Sequence, residues 1–137
     1  MADKPDWLFR QSGVIPILEN RIVLITAIKS KRWIIPKGVV DQGLSPQESA
    51  AKEAMEEAGI IGKVGSKMIG MYQYDKWGGT CKVKVYPLYV EKLLNHWEEK
   101  GVRQRKVVSP AEAVEMVQQK GLRDIMKRFF KKNMPGA

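Results

Sequence analysis

Residues 38–60 read GVVDQGLSPQESAAKEAMEEAGI, and the fold can be argued outward from them. Gly38 and Gly43 punctuate a loop that carries no apolar period. Ser45-Pro46-Gln47-Glu48 then opens a helix: Ser45 can cap the free amides, Pro46 suits the first helical position, and Glu48 can return a bond to the cap. The helix runs to Ala58 and stops at Gly59, a residue able to enter the left-handed region that helix ends favour. Within it, Glu53, Glu56 and Glu57 stand at i, i+3 and i+4, so they project from one edge. Like charges that close repel one another, and towards the C-terminal end the helix dipole opposes them further. A hard divalent cation would relieve both. The chain has one cysteine, Cys81, and one histidine, His96, which excludes a Cys/His zinc site and leaves oxygen ligands that suit Mg²⁺ or Mn²⁺. Taken alone, the acidic triplet also reads as a solvated face with Lys52 and Lys63 as loose partners.

Upstream, residues 12–18 (SGVIPIL) and 22–28 (IVLITAI) are short, β-branched runs separated by Glu19-Asn20-Arg21, which predicts two strands joined by a hairpin. A third run, Trp33-Ile34-Ile35, ends at Pro36 and delivers the chain into a loop over residues 37–44. Downstream, residues 64–74 and 82–90 read as strands with Gly78 and Gly79 in the turn between them. Ser109-Pro110-Ala111-Glu112 repeats the capping pattern before a helix to about Lys120, and Gly121 separates it from a last helical stretch over residues 122–132. Strands before and after one central helix predict an α/β (α+β) architecture, a mixed sheet covered by helices.

The 137 residues fit one domain, 1–137, with 44% hydrophobic and 28% charged residues, an ordinary globular balance. No apolar run approaches the roughly 20 residues needed to span a bilayer, and Asp3, Lys4, Pro5 and Asp6 are unlike a signal-peptide core. The expectation is a cytoplasmic protein with no membrane partner. Lone Cys81 can form no internal disulfide and reads as a small buried hydrophobe. A formal net charge of +9 will attract polyanions. Without a basic-aromatic stripe, nucleic acid ranks below a phosphorylated small molecule.

The stretch 38–60 also resembles the Nudix box, in which a glycine, five residues, Glu, seven residues, Arg-Glu, an aliphatic, any residue, Glu-Glu, any residue, Gly and an aliphatic follow in order. Gly38, Glu53, Glu56, Glu57, Gly59 and Ile60 fall at the required spacing, and Ala54 is a small apolar version of its position. The resemblance implies a Nudix-like α/β/α sandwich with a central mixed β-sheet and a loop-helix-loop metal site. It assigns Mg²⁺ or Mn²⁺ to Glu53, Glu56, Glu57 and the Gly38 carbonyl, with those glutamates catalysing hydrolysis of a phosphoanhydride. The proton acceptor would be one of them, or a loop acid such as Glu98 or Glu99. Leu44 and Lys52 depart from the box, at positions where the family has a glutamate and an arginine that brace the loop. Their joint replacement reads as the loss of one structural pair, with Lys52 free to pair with Glu48 or Glu56.

Beyond the box, Arg32 through Gly38, Leu94 through Glu99, Val102 through Lys106 and Ser109 through Ala113 resemble the diphosphoinositol polyphosphate phosphohydrolase branch and its bacterial relatives. That resemblance implies diadenosine polyphosphate or diphosphoinositol polyphosphate substrates. Arg103 aligns with a phosphate-contacting arginine of that branch, with Arg105 beside it. Lys29 and Arg32 lie in a turn that can present them to phosphate, and Lys37 adjoins the metal loop. Trp33 and Trp97 read as packing residues, and Tyr72, Tyr74, Tyr86 and Tyr89 as strand residues. A non-catalytic polyphosphate or nucleotide sensor and an RNA 5′-end pyrophosphohydrolase are the competing functions.

Overall fold

A computed structural model describes residues 8–76 and 78–134. Its strands are β1 (Leu8–Leu18), β2 (Arg21–Thr26), β3 (Trp33–Ile34), β4 (Lys37–Val39), β5 (Ile60–Val64), β6 (Gly70–Lys76), β7 (Gly79–Leu93) and β8 (Arg105–Val108). The helices are α1 (Pro46–Ala58), α2 (Pro110–Met116) and α3 (Lys120–Asn133). The strands join one mixed sheet built on a parallel pair, β1 and β7, in register from Leu8 opposite Thr80 to Ile17 opposite Tyr89. Each of these long strands changes partner along its length. The first half of β1 pairs with β4 (Ser12 opposite Gly38) and its second half with β2 (Ile17 opposite Ile22), while β7 pairs first with β6 and then with β5. At the partner change on β1, the chain passes through Ile35 and Pro36, and the sheet edge splits. That split is where the end of α1 arrives.

Both faces of the sheet are covered, so its central strands are apolar on successive residues, as expected of a sheet buried on two sides. Val14, Val23 and Ile25 point to the α1 side with Tyr86 and Leu88. Ile15, Ile22 and Leu24 point to the other, against Leu122, Ile125, Met126 and Phe130 of α3. On α1 the buried stripe is Ala50, Ala54 and Ala58, all fully enclosed. Side chains this small let the helix lie close on the sheet. A Cβ added at Gly38 would stand 2.5 Å from the Cδ and Oε2 of Glu53, so only glycine permits that approach.

The sandwich and the helix boundaries of α1 follow the sequence expectation, including both reciprocal cap bonds of Ser45 and Glu48 and Gly59 at φ 65°. Elsewhere the boundaries differ. β1 begins before Ser12, β2 stops at Thr26, residues 60–64 form a strand of their own, and the expected loop over 37–44 contains β4. Residues 105–108, for which the sequence predicts no strand, form β8 and pair with β2. α2 ends at Met116, where Val117 turns extended, and Gly121 lies inside α3 because Gln119 caps that helix by accepting from Leu122 N. Cys81 is a buried free thiol, as expected.

Candidate active site

The last two turns of α1 carry the three glutamates, and of these Glu53 and Glu57 stand against β4. Glu57 is the most enclosed, 7% exposed. Its Oε1 accepts from Lys37 N at 3.1 Å, and its Oε2 lies 3.5 Å from Arg103 Nη2. Burial pushes its carboxyl up to about 8, against the pull of Arg103 and the Lys37 amide, with Glu53 adding to the rise. Glu53 is also raised, by burial first and by Glu56 second, while a hydrogen bond with Glu57 holds it down. In the metal-free site the two carboxyls therefore act as a pair that favours keeping a proton.

Those donors suit a hard divalent cation. Among the described residues no three His, Cys, Asp or Glu side chains converge closely enough to hold a metal ion by themselves, so a cation here would need water or substrate oxygens to complete its shell. Glu53 and Glu57 provide the paired carboxylates, Glu56 a third acid on the same edge, and the bare backbone at Gly38 brings its peptide against Glu53.

Beside Glu57 opens a pocket of about 770 Å³, lined among others by Lys29, Arg32, Lys37, Lys76 and Arg103 together with Trp33, Tyr72 and Tyr74. Four of the five cations expected to meet substrate thus share one pocket with Glu57. Lys29 and Arg32 stand exposed on the turn between β2 and β3. Lys37 is held deeper: its Nζ donates to Tyr74 Oη at 2.8 Å and lies 4.7 Å from that ring, and Tyr74 Oη donates to Gln11 Oε1 at 2.9 Å. Burial lowers the Lys37 pKa, with Glu57 opposing that change. Arg103 donates to Glu99 Oε1 at 2.6 Å and to Thr26 O at 3.0 Å, so its guanidinium is preset in the wall.

Arg105, the fifth expected contact, is placed elsewhere. Its guanidinium stacks on Trp97 at 4.1 Å and donates to Ala58 O at 2.9 Å and Leu94 O at 3.0 Å, behind α1 and off the pocket wall. As residue one of β8 it faces the helix end, a placement hidden when Arg105 is read only as a neighbour of Arg103. Tyr72, Tyr74 and Gln11 escaped sequence reasoning because strand tyrosines and a buried glutamine carry no motif. Trp33 packs against the core while also lining the pocket. His96 is exposed, and Glu99 is engaged by Arg103.

The departures from the box also find a place. Lys52 Nζ meets Asp41 Oδ2 at 2.9 Å, and Asp41 N donates to Ser49 Oγ at 2.9 Å, so the loop is tied to the helix through Asp41 with Leu44 left exposed. The pairing of Lys52 with Glu56 is present but long, at 4.0 Å. A different carboxylate thus supplies a brace that the sequence suggested was missing.

An acidic helix end set in a split sheet edge, with cations around the adjoining cavity, is an arrangement whose charge could meet a phosphorylated ligand. The NUDIX domain family model matches residues 8–132, and the chain belongs to the Nudix family. It is 34% identical over 115 residues to Nudix hydrolase 21, chloroplastic, of Arabidopsis thaliana, covering 82% of this chain and 58% of that protein. It is 32% identical over 82 residues to diphosphoinositol polyphosphate phosphohydrolase 3-alpha of Homo sapiens, covering 59% of this chain and 49% of that one. The chain therefore spans about half the length of these curated relatives. In fold it resembles the crystal structure of C. elegans Ap4A hydrolase, with a TM-score of 0.75 at 17% identity over 92% of this chain and 98% of that one. The MutT protein from Methanosarcina mazei superposes with a TM-score of 0.71 at 21% identity over 98% and 99% of the two chains. No helix among the described residues is long and apolar enough to cross a membrane.

Proposed function

We propose that this protein hydrolyses a phosphoanhydride bond in a polyphosphate, with Mg²⁺ or Mn²⁺ held by Glu53, Glu56, Glu57 and the Gly38 carbonyl. The observation that carries the reading is the buried Glu57 carboxyl, joined to Lys37 N and Arg103 at the edge of a pocket lined by cations. A divalent cation at this site supplies charge for the anhydride oxygens and a means of making water nucleophilic at neutral pH. The chain's own part is positional and electrostatic. Lys37 and Arg103 flank Glu57 and present preset charge to phosphate, while Lys29 and Arg32 extend that field along the exposed turn. Trp33, Tyr72 and Tyr74 give the cavity an apolar side that suits a nucleoside. This favours a diadenosine polyphosphate over a diphosphoinositol polyphosphate, whose surface is charged on every side. The human relative named for diphosphoinositol polyphosphate and the C. elegans Ap4A hydrolase make both substrates the ones to compare. The tie between Lys52 and Asp41 supports an enzyme over a sensor with a slackened loop.

Product release should be measured from diadenosine polyphosphates, diphosphoinositol polyphosphate, nucleotide sugars and 5′-capped RNA, with Mg²⁺, with Mn²⁺ and with chelator. Cation-dependent turnover of the polyphosphates, strongest for the dinucleotides, is the expected result. Binding without turnover on the whole panel would replace the enzyme by a sensor, and turnover confined to RNA ends would replace the substrate class.

A further inference from the structure

The end of α1 is held by one segment distant in sequence. A helix leaves its last carbonyls without intrahelical partners, and here the chain from Leu94 to Arg105 takes them in succession. Glu99 N donates to Glu56 O at 3.0 Å, Trp97 Nε1 to Glu57 O at 3.1 Å, Arg105 Nη1 to Ala58 O at 2.9 Å and Leu94 N to Gly59 O at 2.8 Å. Arg105 joins the two sides of this clamp, because the same Nη1 also reaches Leu94 O at 3.0 Å. Its guanidinium lies 4.1 Å from the Trp97 ring centre and so backs the indole that holds the main chain of Glu57. Space is tight: a Cβ at Gly59 would stand 2.7 Å from the Trp97 ring and 2.9 Å from Arg105 Nη1. The positive charge also complements the negative end of the helix dipole, at the place where three glutamates oppose it.

We propose that Arg105 is a positioning residue, which staples the end of α1 to Leu94 and supports Trp97, and so fixes where Glu56 and Glu57 stand relative to Lys37 and Gly38. It acts through Trp97 and backbone carbonyls and touches no substrate. The inference rests on the proposed reading of α1 as the metal-holding helix. Lysine at this position keeps the charge and one donor, but lacks the planar fork that can stack and bridge. Removing groups that orient metal ligands typically weakens metal binding about 10- to 100-fold.

The test is Mn²⁺ affinity of the intact chain, read from the electron paramagnetic resonance of free Mn²⁺, together with kcat and KM for a diadenosine polyphosphate. Arg105→Lys should weaken Mn²⁺ binding about tenfold and leave the substrate KM, at saturating Mn²⁺, essentially unchanged. Trp97→Phe, which removes the N–H and part of the stacking surface, should move Mn²⁺ binding in the same direction. If Arg105→Lys raises KM with Mn²⁺ affinity intact, Arg105 is a phosphate contact and the inference is wrong. If only the melting temperature falls, Arg105 is a helix cap with no bearing on the site, which also overturns it. Wild-type protein that binds no Mn²⁺ would instead remove the functional reading beneath it.

Discussion

The two ends of α1 are built on different principles. At the N-terminal end, Ser45, Pro46 and Glu48 satisfy the free amides from within four consecutive residues, in an exposed setting. At the C-terminal end, the carbonyls and the Glu57 carboxyl are served by Lys37, Trp97, Glu99, Arg103 and Arg105, drawn from β4, β8 and the segment leading to β8. The first end starts a helix and could belong to many proteins. At the second, a buried carboxyl beside two like charges opposes folding locally and is retained by partners brought from across the chain. One thirteen-residue helix is thus fixed by local bonds at its start and by long-range ones at its end.

The sharpest way to break that contrast is Glu57→Gln. Turnover should fall at least about 100-fold, the scale of losing one preset charge partner at a reacting centre, while the metal-free protein near pH 8 should melt no lower than wild type, because the buried charge has gone. Gly38→Ala comes next. Its Cβ would strike the Glu53 carboxylate, so Mn²⁺ affinity should drop by roughly tenfold or more with far less change in far-ultraviolet circular dichroism. A smaller effect is expected from pH. The Glu57 carboxyl is raised from an ordinary 4.5 to about 8 in the folded chain, so the native state holds a proton that the unfolded state has released between those values. Its contribution to stability is complete below pH 4.5 and is lost as pH rises through 8. Metal-free protein should therefore lose melting temperature across that window, and saturating Mg²⁺ should reverse most of the loss at the upper end. Smallest is Ser45→Ala, which should cost about 1 kcal/mol in chemical denaturation and leave kcat unchanged.

What the sequence disclosed divides along the same line. α1 was legible to the residue because capping, glycine stops and i, i+3, i+4 spacing are local, and the continuous apolar runs of β1 and β2 with the alternating β7 disclosed the sheet. β4 and β8 were not legible. Lys37-Gly38-Val39 has no strand character of its own and is extended because Ser12 pairs with Gly38. Arg105 through Val108 is too short to announce a strand until β2 recruits it. Within the site, the glutamates and Arg103 could be named from spacing and resemblance. The link from Lys37 through Tyr74 to Gln11 could not, since it joins β4, β6 and β1 through side chains separated by up to 63 positions. Nor could the separate placement of Arg105 be read, because Arg105 opens β8 and turns to the helix end, while Arg103 lies in the segment before it, where Glu99 and Thr26 hold it in the pocket wall.

The most direct test of the central claim, that a cation and a proton compete for the carboxyls at the buried end of α1, is proton release on adding Mg²⁺ to metal-free protein in weak buffer at pH 7. A carboxyl titrating near 8 should give up close to one proton for each cation bound, and Glu57→Gln should release almost none. Mg²⁺ binding that releases no proton from the wild-type chain would place the cation away from Glu57 and contradict the account.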